Sequence, residues 1–245
     1  MSTEADPDPI VIDEGEEEPE RPAWSRWVII GAALAAVLLI GATVGMLLTR
    51  ASDGSDTAAA PSAVEVGFAQ DMSVHHLQAV TMANWARDHS TDPEVRQLAF
   101  DIASTQLEQV GWMKGWLMVW DKPEQAIGAY MTWMTEPMSG MSGMSMPAST
   151  APAPGGAPMP GMATDAELAK MRTLTGRALD IDFLQLMLRH HQGGSAMAQY
   201  ARDHASIPAV KTLADAMLKA QGAEMDQMKL MLAGRGAQPL FFGTR

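Results

Sequence analysis

Apolar positions along this chain fall into one unbroken run and four stretches of helical period. The run comes first. Val28 to Leu48 carries no charged residue, and about 20 apolar residues suffice to cross a bilayer as a helix. Trp24 and Trp27 stand where an interfacial aromatic belt would be. Arg21 and Arg26 precede the run and only Arg50 follows it closely, which places the N-terminus inside. The run is longer than a signal-peptide core, so residues 28–49 read as an uncleaved transmembrane helix with the remaining chain extracytoplasmic. Residues 1–27 read as a disordered, acidic cytoplasmic tail, and residues 50–63 as a small-residue linker.

The periodic stretches follow. The first helix starts near Val64 and runs to about Asp88. Thr91 as N-cap, Pro93 in the first turn and Glu94 at the third position announce the second. It continues to about Trp120, with Leu98, Ile102, Thr105, Gln109, Met113 and Trp116 on one face. Thr164 and Glu167 form another capping box, and Gly176 interrupts the helix they start. A third long helix spans about Leu179 to His204. Pro208 opens a fourth, which runs to Leu232 and stops at Gly234; its inward stripe is Leu213, Met217, Ala220, Glu224, Met228 and Met231. No strand pattern competes. The prediction is an all-α fold: a ferritin-like antiparallel four-helix bundle preceded by one transmembrane helix. The helix pairs occupy residues 64–122 and 164–236, joined by a flexible crossover over 123–163.

The two pairs are copies of one another, and a repeat fixes architecture and site together. Phe68, Met72, His75, His76, Met82 and Arg87-Asp88-His89 recur 115 positions later as Phe183, Met187, His190, His191, Met197 and Arg202-Asp203-His204. All 6 histidines of the chain lie in these two copies. On the following helices Gln221, Glu224 and Met228 are candidates for the further metal ligands and match Gln106, Gln109 and Met113, so one half carries Gln where the other carries Glu.

Composition narrows the chemistry. A net charge of -12 argues against nucleic acid as a partner. With 0 cysteines there is neither a disulfide framework nor a thiolate site, so the soft ligands left are imidazole and the thioethers of 21 methionines. Met187 lies three residues before His190 and four before His191, so thioether and imidazole share a helix face. Met197 is seven beyond His190, roughly 10 Å along the axis, and belongs to another layer or to packing. Only one histidine of each adjacent pair can point squarely inward, since neighbours differ by about 100°. Imidazole with thioether and no thiolate favours Cu(I). Silver competes on softness, and zinc leaves the methionines unexplained. No Glu-x-x-His occurs, which weighs against a di-iron bundle. The crossover is a second signal. Met134, Met138, Met141, Met144 and Met146, with Met131, Met159 and Met162, sit among Gly, Ser and Pro and suit exchangeable capture of Cu(I), with Trp133 beside Met134 adding a cation–π contact.

The sequence from Leu174-Thr175-Gly176-Arg177 through Phe183, Met187, His190-His191, Gly193 and Met197-Ala198 resembles the domain-of-unknown-function 305 family, over about residues 64 to 233. The resemblance implies a ferritin-like bundle and, as for some members, extracytoplasmic copper binding. It implies metal association for Met187, His190, His191 and Met197, and for Met72, His75, His76 and Met82 in the first half. Gly194, where members often have Ala, and Gln109, in place of an acidic residue, depart from the pattern. The residues together point to a membrane-anchored, extracytoplasmic protein that sequesters or hands over Cu(I), with the metal ion and the membrane as its partners. The alternatives are a metal-dependent oxidase and a structural bundle that docks a membrane partner.

Overall fold

The structure, a computed structural model, describes residues 41–43, 60–135 and 156–242. Residues 41–43 are helical; the rest of the expected anchor, the acidic tail and most of the linker lie outside the described residues. Among the described residues no helix is long and apolar enough to cross a membrane. Beyond residues 41–43, the described residues form five helices: α1 (Ala63–His89), α2 (Pro93–Val119), α3 (Asp165–Thr173), α4 (Gly176–His204) and α5 (Pro208–Gly234).

Local chemistry sets their limits. Ser62 and Glu65 form a capping box on α1, with the Ser62 N–H donating to Glu65 Oε2 at 2.8 Å. Thr164 and Glu167 do the same for α3, as the sequence predicts. The α2 cap falls one residue later than expected. Asp92, not Thr91, accepts the N–H groups of Glu94 (2.9 Å) and Val95 (3.4 Å), and Pro93 is the first helical residue. A carboxylate there takes two orphan amides and faces the positive end of the helix dipole. Gly176 begins α4 at φ +51°, the left-handed region a glycine enters without strain.

Helix α1 packs on α2, α4 packs on α5, and α1 packs on α4. Two apolar cores result, one at each end of the bundle. One joins the C-terminal half of α1, the start of α2, the first half of α4 and the end of α5 around Met82, Ile102, Phe183, Met187 and Met228. The other joins the start of α1, the end of α2, the end of α4 and the start of α5 around Phe68, Met72, Met113, Met197 and Met217. Neighbouring long helices are thus antiparallel. The inward stripes turn slightly from the predicted ones: Gln106 and Leu117 are buried where Thr105 and Trp116 were expected, and Gln221 replaces Ala220.

The two repeats are latched at both ends by the same device. Glu65, in the first turn of α1, accepts the hydroxyl of Ser206 at 2.8 Å and the N–H of Ile207 at 3.1 Å, both in the turn before α5. Its repeat counterpart Asp180 accepts the hydroxyl of Ser90 at 2.6 Å, in the turn before α2. Burial opposes ionisation of Glu65, but hydrogen bonds from Ser62, Ser206 and Ile207 outweigh it and hold the carboxyl at about 2, against an ordinary 4.5.

The crossover was expected to be flexible, and both of its described ends are docked on the bundle. Trp133, Met159 and Met162 are buried in the second core. The Trp133 indole lies on Gly67, where a Cβ would come within 2.3 Å of it. Its Nε1–H donates to Asp71 at 2.9 Å, and the Met131 N–H donates to the same oxygen at 2.6 Å. At the far end Arg189 grips Glu167 with two bonds of 2.7 Å. Gln78 exchanges two hydrogen bonds with the backbone of Ala163. Pro160 rests on α4 at Gly193, where a Cβ would stand 2.0 Å from its carbonyl oxygen. Single large side chains and bare glycines dock a Gly-Pro segment that has no helical period of its own.

Glu65→Ala is expected to destabilise the bundle by about 2 kcal/mol, since it removes a cap and the latch together. The difference in thermal stability from the wild type should be full above about pH 4.5 and fade as pH falls towards 2, because the folded carboxyl stays ionised where the unfolded one is protonated. Melting curves of both proteins across that range check it.

Candidate metal centre

Between the two cores, at the midpoints of α1 and α4, lies a belt of polar side chains. His75, His76, His190 and His191 are all buried, at 0 to 1% exposure. The expectation that only one of each pair turns inward is therefore wrong, and the packing explains it. Helices α1 and α4 pack on each other and each on one further long helix, so residues about 100° apart both find cover. His76 faces α2, where its Nε2 lies 2.8 Å from Gln109 Oε1. His191 faces α5, where its Nε2 lies 2.6 Å from Glu224 Oε2. His75 and His190 face each other across the repeat axis, their ring centroids 3.8 Å apart.

Burial disfavours the charged form of His75, His76 and His190, and neighbouring imidazoles add to the effect. His75 falls to about 3, by burial first and then by the nearness of His76 and His191, with only the Pro160 carbonyl acting in the opposite sense and without full hydrogen-bond geometry. Burial takes His76 to about 4, against the hydrogen bond to Gln109. His190 lies well below the ordinary value, through burial and the proximity of His75. Neutral imidazole is the form that ligates a metal.

Several buried polar atoms of the belt have no hydrogen-bond partner: both ring nitrogens of His75, Nδ1 of His76, Nε2 of His190, Nδ1 of His191, both polar atoms of Gln106, and Oε1 of Gln221. Buried polar atoms are nearly always paired, so a concentration of orphans at one level marks a place for something else to bind. Among the described residues no group of three His, Asp or Glu side chains is placed to hold an ion by itself. A metal site at this level would need a thioether or an amide among its ligands. Met72 and Met113 are fully buried in one core, one turn from His76 and Gln109; Met187 and Met228 are fully buried in the other, one turn from His191 and Glu224. The donor set suits a soft monovalent ion.

Met197 and Met82 stand apart from their own repeats. Met197 lies in the core of Met72 and Met113, and Met82 in that of Met187 and Met228. Of the crossover methionines, Met134 packs against the second core; Met138, Met141, Met144 and Met146 lie outside the described residues. Trp133, expected to add a cation–π contact beside Met134, is held between Phe68 and Tyr200 at centroid distances of 6.1 and 5.4 Å. Sequence reasoning missed Asp71, because its repeat counterpart is Leu186 and the repeat gave no prompt. It also gave no reason for Gly194. A Cβ there would stand 3.0 Å from His75 Cε1 and 3.2 Å from Gln221 Oε1, so the glycine makes room for the ring.

Fold and centre together define a two-repeat helical bundle built around buried imidazoles, with thioethers on either side. The chain belongs to the family described as Domain of unknown function (DUF305), whose pattern matches residues 65–232. Among solved structures it is similar to a DUF305 protein from Streptomyces coelicolor, at 42% identity, covering 73% of this chain and 97% of that one, with a TM-score of 0.62. A DUF305 fragment from Deinococcus radiodurans is 33% identical over 71% of this chain and 98% of its own, with a TM-score of 0.55. CopM in a Cu(II)-bound form is 25% identical over 69% and 96%, with a TM-score of 0.50; the same fold is seen in its Cu(I)-bound form. Among curated proteins none matches.

Gly194→Ala should lower the melting temperature although alanine favours helix, because His75 is held against His190 and cannot yield. Gly222→Ala, where a Cβ meets nothing within 4 Å, should stabilise by about 0.5–1 kcal/mol. Thermal melts of the two variants check the contrast.

Proposed function

We propose that this protein binds copper as cargo, Cu(I) in preference, and sequesters it or passes it on at the extracytoplasmic face of a membrane to which residues 28–49 anchor it. The observation that carries the reading is the belt of neutral, partnerless imidazole nitrogens flanked by buried thioethers. His76 with Met72 and Met113 forms one half-site; His191 with Met187, Met228 and Glu224 forms the other. His75 and His190 lie between them. Zinc has no hard-ligand cluster to favour it among the described residues, and silver follows copper on softness. CopM, with the same fold, takes Cu(II) in one crystal form, which supports the choice of metal. A ferritin-like layout, with a long crossover between the second and third long helices, fits this use of facing helices to build a metal site.

Titration of the protein with Cu(I) against a chromogenic chelator tests the reading. Met72→Leu with Met187→Leu keeps volume and should weaken binding at least tenfold while the melting curve barely moves; His76→Ala with His191→Ala should weaken it further. Unchanged affinity in both folded variants would rule out the bundle as the binding site. Deleting residues 136–155, which removes Met138, Met141, Met144 and Met146 but leaves the docked ends, should reduce the number of ions captured and spare the tightest ones. The anchor is checked separately: the full chain should stay in the membrane pellet through an alkaline wash, and a variant lacking residues 28–48 should not.

A further inference from the structure

We propose that the two half-sites bind copper unequally, and that Glu224 sets the difference by fixing the tautomer of His191. The inference rests on the copper reading above, and on the one difference in the group that faces Nε2 of two matched histidines. His76 and His191 occupy equivalent positions 115 residues apart, both fully buried. Each ring uses Nε2 towards the facing helix, at 2.8 and 2.6 Å, and each leaves Nδ1 buried without a partner. What differs is the group that receives Nε2.

A carboxylate can only accept a hydrogen bond. Beside an ionised Glu224, a neutral His191 carries its proton on Nε2, and the Nδ1 lone pair is left free for a ligand bond. The carboxylate also makes the imidazole a stronger donor to metal, as carboxylate–histidine pairs do elsewhere. A carboxamide can accept through its oxygen or donate through its nitrogen. Gln109 presents Oε1 to His76, but turning its amide would place a donor there and move the ring proton to Nδ1, which closes the metal-binding nitrogen. Forming the first-half site therefore selects one of two amide orientations, and forming the second does not. The second half also brings a negative charge, 16% exposed at the Glu224 side chain, to a cation that the first half meets with neutral groups only.

Two consequences follow. The Met187–His191–Met228 site fills first and holds copper more tightly, and the Met72–His76–Met113 site is the weaker, more readily exchanged one. Filling is thus ordered within a chain whose halves have nearly the same shape.

The test is a Cu(I) competition titration of the full chain in detergent, with the wild type, Glu224→Gln, Gln109→Glu and the double exchange. The wild type should show two bundle steps at least tenfold apart. Glu224→Gln should weaken the tight step by about 10–100-fold, the usual range for removing such a partner. Gln109→Glu should strengthen the weak step, a gain that mere damage to packing cannot produce. The double exchange should swap which histidine's removal abolishes the tight step. Equal steps in the wild type, or a tight step unmoved in Glu224→Gln, would overturn the proposal. Imidazole 15N NMR of the copper-free protein gives a reading independent of metal. His191 should be wholly the Nε2–H tautomer in the wild type and mixed in Glu224→Gln; an Nδ1–H form in the wild type refutes the positioning role. If no copper binds and the tautomers are as stated, the copper reading fails while the positioning by Glu224 stands.

Discussion

The structure depends on placing four buried imidazoles at the midpoint of a helical bundle. A buried polar ring is costly unless something pairs with it, and only some of these nitrogens are paired. The chain manages this by letting α1 and α4, which pack on each other across the repeats, carry the histidines, so that His76 is covered by α2 and His191 by α5 while His75 and His190 cover one another. Everything else supports that arrangement. The apolar cores at the two ends supply the stability the belt does not, and the acidic latches at Glu65 and Asp180 hold the two repeats in register, so that His75 meets His190 ring to ring.

Much of this was legible in the sequence, because a repeat doubles every signal. The four helices, their order and the second capping box follow from period and cap chemistry. The His–Met positions stood out because the same spacing occurs twice. What was not legible came from contacts between distant segments. Spacing along one helix says that two adjacent histidines diverge, but not that each divergent direction meets another helix. The latch serines, Ser90 and Ser206, sit in turns where composition alone suggests only a break. Asp71 and Gly194 have no equivalent in the other repeat, so nothing in the pattern drew attention to them.

The crossover shows why composition misleads at such places. A segment of Gly, Pro, Ser and Met has no period and looks unable to pack. Here the bundle supplies the complementary surface. Bare backbone at Gly67 receives an indole, bare backbone at Gly193 receives a carbonyl, and a buried carboxylate at Asp71 receives two N–H groups. The docked ends lie over α1 and α4, the helices that carry the histidines, so the connection between the repeats is also part of the wall around the centre.

The exchange of methionines between the cores has a wider meaning. Met82 serves the end where the second repeat keeps Met187, and Met197 serves the end where the first keeps Met72. Neither repeat, cut out alone, would contain a complete interior. The arrangement is that of a two-fold symmetric dimer whose subunits have been sewn into one polypeptide, with the ring of His75 against that of His190 marking where the axis of the pair would pass. Once the halves are covalently joined they are free to diverge, as a true homodimer is not, and the glutamine of one side stands where the other has glutamate.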